Sequence, residues 1–178
     1  MPVAQLVLVR PMLQRLIVLS CSAVLCACEA TRPTITGAQL IRYGVYRNDT
    51  IGYRKGPETS EGRIAVIGDT KLLKQTDRIH AKVNTTFGIE YTVTGTPAEA
   101  DVDVVLEVIH PPIRNPHTGR TVAVEHGIYH VLTGVPYYND VRLDAAWNVV
   151  PGPWTLRVVY QSRVLLEKTF HVEVHTKA

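Results

Sequence analysis

Residues 78–94 read RIHAKVNTTFGIEYTVT, and this stretch decides the fold class. Seven of its eight odd-numbered positions, from Ile79 to Val93, are apolar, and none of its even-numbered positions is. Successive side chains of a β-strand point to opposite faces of the sheet. The alternation therefore predicts a strand, or two collinear strands, with one buried face. Turn residues at 94–97 end the pattern.

The same period of two recurs on both sides of this stretch. Shorter alternating runs predict strands at residues 41–45, 101–110, 121–125 and 129–133. Near the C-terminus, a face begun by Trp154, followed by turn residues at 161–163, predicts a hairpin that ends near Val174. Between these runs, glycine and proline content predicts a long mobile loop at residues 48–62 and a loop at residues 111–119, and residues 69–75 are expected to form a turn at most.

This rhythm of short strands and turns predicts an all-β protein. We expect about seven to eight strands arranged as an immunoglobulin-like antiparallel β-sandwich. A small up-and-down β-barrel is the alternative. The sequence contains few helix signals, because no apolar pattern with a helical period extends beyond a few residues.

The N-terminal segment has the pattern of a targeting signal. Arg10 and Arg15 supply positive charge, and a mostly apolar stretch of twelve residues follows at 16–27. The stretch is short for a membrane-spanning helix, which needs roughly 20 apolar residues. Met12 is an alternative start, because the residues after it form a charged start of their own.

The motif Leu25-Cys26-Ala27-Cys28 resembles the lipobox of bacterial lipoproteins. The resemblance implies that Cys28 is lipidated and becomes the mature N-terminus, with Cys26 a departure from the usual small residue. Cys21 is a poorer candidate, and an ordinary secreted protein or an uncleaved anchor stays open. We expect a signal peptide at 1–27, a tether at 28–35 and a β-sandwich domain at 36–178. The position after the cysteine is Glu29 and not aspartate, which favours the outer over the inner membrane.

The domain behind Cys28 carries a second resemblance, in Gly44-Val45-Tyr46, in the PGPWTL run at 151–156 and in the LEKTFHV run at 166–172. From about Thr36 to Val174, it resembles immunoglobulin-like bacterial periplasmic domains. It is similar to a family described only as a domain of unknown function. In such domains, the tryptophan-led strand and the final strand form the closing hairpin. The resemblance implies a fold and no activity.

Charge and cysteine content exclude several classes of function. Of the 19 basic residues, only Arg10 and Arg15 precede Cys28, and all 16 acidic residues follow it, so the domain is nearly neutral. A neutral domain gives no electrostatic case for nucleic-acid binding. The three cysteines, Cys21, Cys26 and Cys28, all lie in the leader, so the domain has neither a disulfide nor a thiol nucleophile.

Catalytic and metal sites have weak candidates only. Ser60 and Ser162 lack a nucleophile-elbow context, and Asp101 with Asp103 has the pattern of a solvated strand. His171, Glu173 and His175 share one strand face, which is typical of a polar outer face. The remaining candidates surround the proline-rich loop predicted at residues 111–119, which we call the proline tract. If the chain is an enzyme, we expect its chemistry at Glu125 and His126, together with the neighbouring histidines His110, His117 and His130.

Aromatic residues provide the other candidate site. Tyr137 and Tyr138 follow Gly134 and Pro136 in a predicted loop, so they are candidate contact residues for a ligand. Trp154 lies on the buried face of its strand and is expected in the core. We expect no cofactor and no metal.

The sequence therefore predicts a non-catalytic, membrane-tethered periplasmic module that binds an envelope protein or polymer. A hydrolase or metal-binding protein that uses the histidines of residues 110–130 is the alternative, and a structural spacer is a third possibility.

Overall fold

The structure, a computed structural model, describes residues 32–174. These residues form nine β-strands and one short 3₁₀ turn. The elements are β1 (Thr34–Lys55), β2 (Arg63–Lys74), β3 (Arg78–Ala81), β4 (Thr85–Thr96), β5 (Asp101–Arg114), β6 (Thr121–Leu132), β7 (Pro136–Leu143), η1 (Ala146–Asn148), β8 (Gly152–Tyr160) and β9 (Arg163–Val174).

The strands form two sheets that pack face to face. The four-stranded sheet has the order β2-β1-β4-β7, and the five-stranded sheet has the order β3-β9-β8-β5-β6. All pairs are antiparallel except β3 with β9, which is parallel. The predicted all-β, immunoglobulin-like sandwich is confirmed, with nine strands in place of seven to eight. Because the sheets are separate, the barrel alternative is wrong.

The stretch that decides the fold class lies in both sheets. A turn at residues 82–84 separates β3 from β4, with Asn84 at a φ of 69° and the Thr85 amide donating to the Lys82 carbonyl at 3.0 Å. Ile79 and Phe87, on opposite sides of this turn, are both fully buried. Most of the residues predicted to be buried are buried, but Val83, in the turn, is 41% exposed. Collinear strands are wrong, because alternation reports which face is buried and not which sheet holds the strand.

The core lies between the sheets and is built around aromatic rings. Phe87 packs edge to face on Trp154 with ring centroids 5.9 Å apart, and contacts Phe170 at 5.1 Å. Trp154 is buried, as predicted, and its indole N–H donates to the Val150 carbonyl at 3.0 Å. The closing hairpin is also observed: Trp154 lies opposite Phe170, and Gln161 and Ser162 both have positive φ, as a tight hairpin turn requires.

Three loop predictions are wrong. Residues 48–55 continue β1, so the loop covers only residues 56–62, and residues 69–74 belong to β2. Much of this hairpin is exposed and its polar residues do not alternate regularly, so its sequence lacks the usual strand signal. The proline tract does not end β5, which continues to Arg114 through an irregularity between Ile109 and Ile113 that accommodates the two prolines.

The sandwich begins at Thr34, two residues before the expected boundary, and Ile35 is buried in the core. Cys28, the leader and the first part of the tether lie outside the described residues, as does His175.

Candidate functional site

A hairpin extension of the four-stranded sheet forms one wall of the candidate site. Pairing of β1 with β4 ends at Tyr46, whereas pairing of β1 with β2 continues from Arg47 opposite Lys71 to Lys55 opposite Arg63. We call residues 47–71 the arm. The arm has no β4 neighbour, so its side chains are free to contact other parts of the sandwich.

The base of the arm is fastened to β7 by polar side chains. The Asn48 amide donates to the Asp140 carboxylate at 2.5 Å, and the Arg142 guanidinium donates to the Thr50 hydroxyl at 3.0 Å. Asp140 lies opposite Gly88 of the intervening β4, where a Cβ would lie 2.3 Å from the Asn139 carbonyl oxygen, so glycine allows β7 to approach this closely.

The outer part of the arm reaches β6, in the other sheet. Arg54 donates to the Ile128 carbonyl at 3.1 Å, and its guanidinium lies over the Tyr129 ring at 5.0 Å. In the arm loop, the Ser60 amide donates to Glu125 at 2.8 Å, and Asn115 donates to the Ser60 carbonyl at 2.9 Å. The arm therefore spans from one sheet to the other along the flank of the sandwich where β7 and β6 end the two sheets.

A cleft of about 470 Å³ lies beneath the arm. Its lining includes seven consecutive residues of β7 and the connection after it, 138–144, five consecutive residues of β2, 63–67, and residues 125–127 of β6. Consecutive strand residues point to opposite faces, so the parts of the cavity lined by such runs are bounded by strand edges. Leu106, Val108 and Trp154 add part of the core-facing side of the five-stranded sheet. The volume is within the usual range of small-ligand sites.

A carboxyl pair lies where the arm loop meets the end of β7. Asn148 donates to Glu61 and to Asp144, each at 3.2 Å, and Arg63 lies 3.3 Å from Glu61 and 3.8 Å from Asp144. Burial, and after it the neighbouring Asp144 carboxyl, raises the pKa of Glu61 to about 7. The one guanidinium of Arg63 thus lies beside two carboxyl groups. Glu61 therefore retains its proton up to near neutral pH.

Further along β7, burial raises the pKa of Asp140 to about 6, against the lowering effect of the hydrogen bond from Asn48. Burial, and next the Asp140 charge, raises the pKa of Tyr138. The wall formed by β7 is therefore polar, and the phenol of Tyr138 is retained in the neutral form.

The pKa of Glu125 shifts in the opposite direction. Burial alone would raise its pKa, but contacts with His110 and Ser60 outweigh burial and hold the pKa of Glu125 below its usual value. His110 is fully buried, stacks on Trp154 at 4.6 Å and places Nε2 3.5 Å from Glu125. The other ring nitrogen, Nδ1, lies 2.8 Å from the Pro111 carbonyl. Glu125 is thus a fixed carboxylate that holds the arm loop.

The candidate residues from the sequence are only partly brought together. Glu125, His126 and Tyr138 line the cleft. Tyr137 does not, and lines a separate cavity of about 420 Å³ with Arg42 and Tyr46. Tyr137 and Tyr138 lie in β7, so their placement in a loop is wrong.

Three of the four histidines of residues 110–130 contact different carboxylates, and the fourth, His117, donates its backbone N–H to Asn115 at 2.8 Å. His126 contacts Glu107 at 3.8 Å, His130 contacts Asp103, and His110 contacts Glu125. Within residues 32–174, no group of three or more histidine, cysteine or acidic side chains is placed to hold a metal.

Sequence reasoning missed the arm and the Glu61–Asp144 pair. The contacting residues Asn148 and Glu61 are 87 positions apart, so no local sequence motif could indicate that they meet. The arm has almost no signal, since only Ile51 and Tyr53 alternate in the IGYRKG run at 51–56, and the adjacent Arg54 and Lys55 break the pattern.

The two-sheet architecture defines an immunoglobulin-like β-sandwich, and a solved structure is similar to it. An immunoglobulin-like protein from Pseudomonas aeruginosa superposes with a TM-score of 0.56 at 23% sequence identity, over 82% of this chain and 98% of that one. The chain itself belongs to the family described as Domain of unknown function (DUF3859), whose model matches residues 36–172. No curated protein matches the sequence.

Proposed function

We propose that this chain is a lipid-anchored protein of the bacterial cell envelope whose sandwich domain binds an envelope protein or polymer in the cleft beneath the arm. The observation that carries the binding role is the cleft itself. It is built from both sheets and the arm, and it is lined by aliphatic side chains together with aromatic, charged and amide ones. Such concave sites with a few convergent polar groups are the usual seats of ligands.

The anchor rests on the sequence of the leader. The lipobox-like motif ends at Cys28, and β1 begins at Thr34. The intervening chain can span only about 20 Å when fully extended. A lipidated Cys28 would thus hold the start of β1 close to the membrane, on the periplasmic side and, given Glu29, at the outer membrane. Within residues 32–174, no helix is long and apolar enough to cross a membrane.

A binding role fits the site better than catalysis does. Ser60 is the serine among the described residues that line the cleft, and nucleophilic catalysis needs a general base, most often an imidazole, in contact with its hydroxyl. Glu125 instead lies between Ser60 and His110, and His110 is fully buried. This order places a carboxylate, and not an imidazole, next to the serine, and the carboxylate accepts the backbone N–H of Ser60.

The anchor is tested by growing cells with labelled palmitate. We expect label on the wild-type chain and none on Cys28→Ala. Label that persists on the Cys28→Ala variant would refute Cys28 as the lipidated residue, and its loss from Cys21→Ala would then identify Cys21.

The binding site is tested by a photo-crosslinking amino acid placed in the full chain in intact cells. At position 53, in the cleft, we expect an adduct with a defined partner, whereas at position 164, an exposed site on β9 outside the cleft, we expect none. Equal adducts from both positions, or none from position 53, would refute binding in the cleft.

The alternative is a metal-binding protein or hydrolase at Glu125 and His126, which are neighbours in the cleft lining. Metal analysis of the purified chain and thermal melts with and without chelator test it. A stoichiometric metal with a chelator-sensitive melting temperature would replace the proposal with this alternative.

A further inference from the structure

By its own sequence, the edge of β6 is the least protected strand edge that borders the cleft, and its cover is the arm, through Arg54 and Ser60. Proteins usually protect edges with lysine, proline, inward charges or very short strands. β2 carries Arg63, Lys71 and Lys74, and β7 begins with Pro136. β6 is twelve residues long, contains no lysine, arginine or proline, and exposes Ile128, which is 59% accessible.

The backbone of β6 pairs on one side only. Its ladder partner is β5, and among residues 32–174 no second strand pairs with it. The Ile128 carbonyl accepts the Arg54 side chain at 3.1 Å, which places this carbonyl on the side away from β5. In an antiparallel strand, the N–H and C=O of one residue point to the same side. The Ile128 N–H therefore also points to the free edge.

Two other walls of the cleft are also formed by edge strands. Residues 138–144 and 63–67 line it in unbroken runs, and β7 and β2 are the two edge strands of the four-stranded sheet. The cleft thus offers backbone donors and acceptors along strand edges. An extended polypeptide repeats its own N–H and C=O groups at the matching spacing of about 6.8 Å for every second residue. A saccharide has no such repeat.

We infer that the cleft takes an extended polypeptide segment of a partner protein, which adds as a strand to the free edge of β6. This inference rests on the proposed function and narrows its partner from any envelope component to a peptide. Strand addition is an established mode of peptide recognition, in which backbone hydrogen bonds supply affinity and alternate side chains supply specificity. Arg54 occupies one acceptor of this edge in the unbound chain, and it would yield that acceptor to the incoming strand.

The experiment begins with a randomised dodecapeptide library displayed on phage and panned against the purified full chain in detergent. Enriched peptides are synthesised, and their Kd values are measured for the wild type, Ile128→Pro and Ile128→Ala. Proline removes the edge N–H and alanine keeps it, while both remove the isoleucine side chain. We expect about tenfold weaker binding to Ile128→Pro, the effect of one lost hydrogen bond, and a change of less than about twofold for Ile128→Ala.

A second measurement leaves the protein unchanged. Methylating single backbone nitrogens of an enriched peptide should weaken binding about tenfold at alternate positions and little at those between. Binding that tolerates methylation at every position, or failure to enrich any peptide, would overturn strand addition. If a peptidoglycan glycan fragment instead suppresses the crosslink at position 53, the inference is overturned and the proposed function stands. The absence of any crosslink at position 53 overturns the proposed function itself.

Discussion

At the scale of single residues, Trp154 connects the core to the cleft. The Trp154 ring contacts Phe87 of the opposite sheet and stacks on His110. The His110 imidazole in turn contacts the cleft carboxylate Glu125. The same indole lines the cleft and donates to the Val150 carbonyl. A change at this ring therefore affects both stability and the position of Glu125.

Trp154→Ala should lower the free energy of unfolding by about 3–5 kcal/mol, because it opens a large cavity and removes a buried hydrogen-bond donor. Urea unfolding of the full chain measures this loss. Val164→Ala, at an exposed position of β9, is the control, and we expect a change of no more than about 0.5 kcal/mol. Equal losses in the two variants would contradict the position of Trp154 in the core.

Glu61 should make the protein less stable as the pH rises toward 7. Its pKa is raised to about 7 in the folded chain, so the folded state binds the proton more tightly than the unfolded state, and stability present below about pH 4.5 is lost as the pH rises through 7. Glu61→Gln mimics the protonated form. We expect it to match the wild type at pH 5 and to exceed it at pH 8 by on the order of 1 kcal/mol.

The control is Glu99→Gln, an exposed glutamate outside the cleft lining, which should leave the pH profile of unfolding unchanged. A Glu61→Gln variant that is less stable than the wild type at pH 8 would contradict the protonated carboxyl pair.

Glu125 should change the pH dependence of stability in the opposite direction. Because its pKa is lowered in the folded chain, it contributes stability above the unfolded value near 4.5, and that contribution is lost as the pH falls through the folded pKa. Glu125→Gln should therefore lower stability at pH 7 and have little effect at pH 3. Chemical unfolding at the two pH values measures this difference. An equal loss at both would mean that packing, and not charge, explains the effect.

At the scale of elements, the arm differs from the rest of the chain in how it is held. None of residues 47–71 belongs to the buried apolar core. The described contacts of the arm with β6 and β7 are mainly polar, and its large side chains Ile51 and Tyr53 are 71% and 52% exposed. A hydrogen bond contributes only about 1 kcal/mol net, and the arm adds no residue to the apolar core, so the arm has a low cost of local opening.

Amide exchange should show this difference directly. In mass spectrometry of the full chain, peptides from residues 50–67 should exchange by local opening, at rates well above those of peptides from β4 and β8. Equal protection of the arm and of β4 would mean that the arm unfolds only with the whole domain.

At the scale of the whole molecule, the sequence predicted the sandwich because burial leaves a clear pattern where one face is dry. Ile79, Phe87 and Trp154 were all expected in the core and are buried there. The pattern could not show that β3 and β4 lie in different sheets, because both sheets bury their side chains in the same core. The arm was missed because much of it is exposed, so burial imposes no strict alternation on it.

The candidate site was less predictable than the fold. Glu125, His126 and Tyr138 were singled out and line the cleft, but Glu61 and Asp144 meet only through tertiary structure. Tyr137 was misplaced because Gly134 and Pro136 are turn signals, and β7 begins directly at that proline. Strand edges, which bound the cleft, are a property of topology and leave no mark on single residues.

The claim that the cleft is bounded by a free strand edge is tested most directly by residue-resolved amide exchange at Ile128 and Tyr129 in the full chain without a partner. If the Ile128 N–H points away from β5, the Tyr129 N–H points toward it and is held in the ladder. We expect rapid exchange at Ile128 and exchange on the order of 100-fold slower or more at Tyr129. Slow exchange at both residues would show that the edge of β6 is already paired and would contradict a free strand edge beside the cleft.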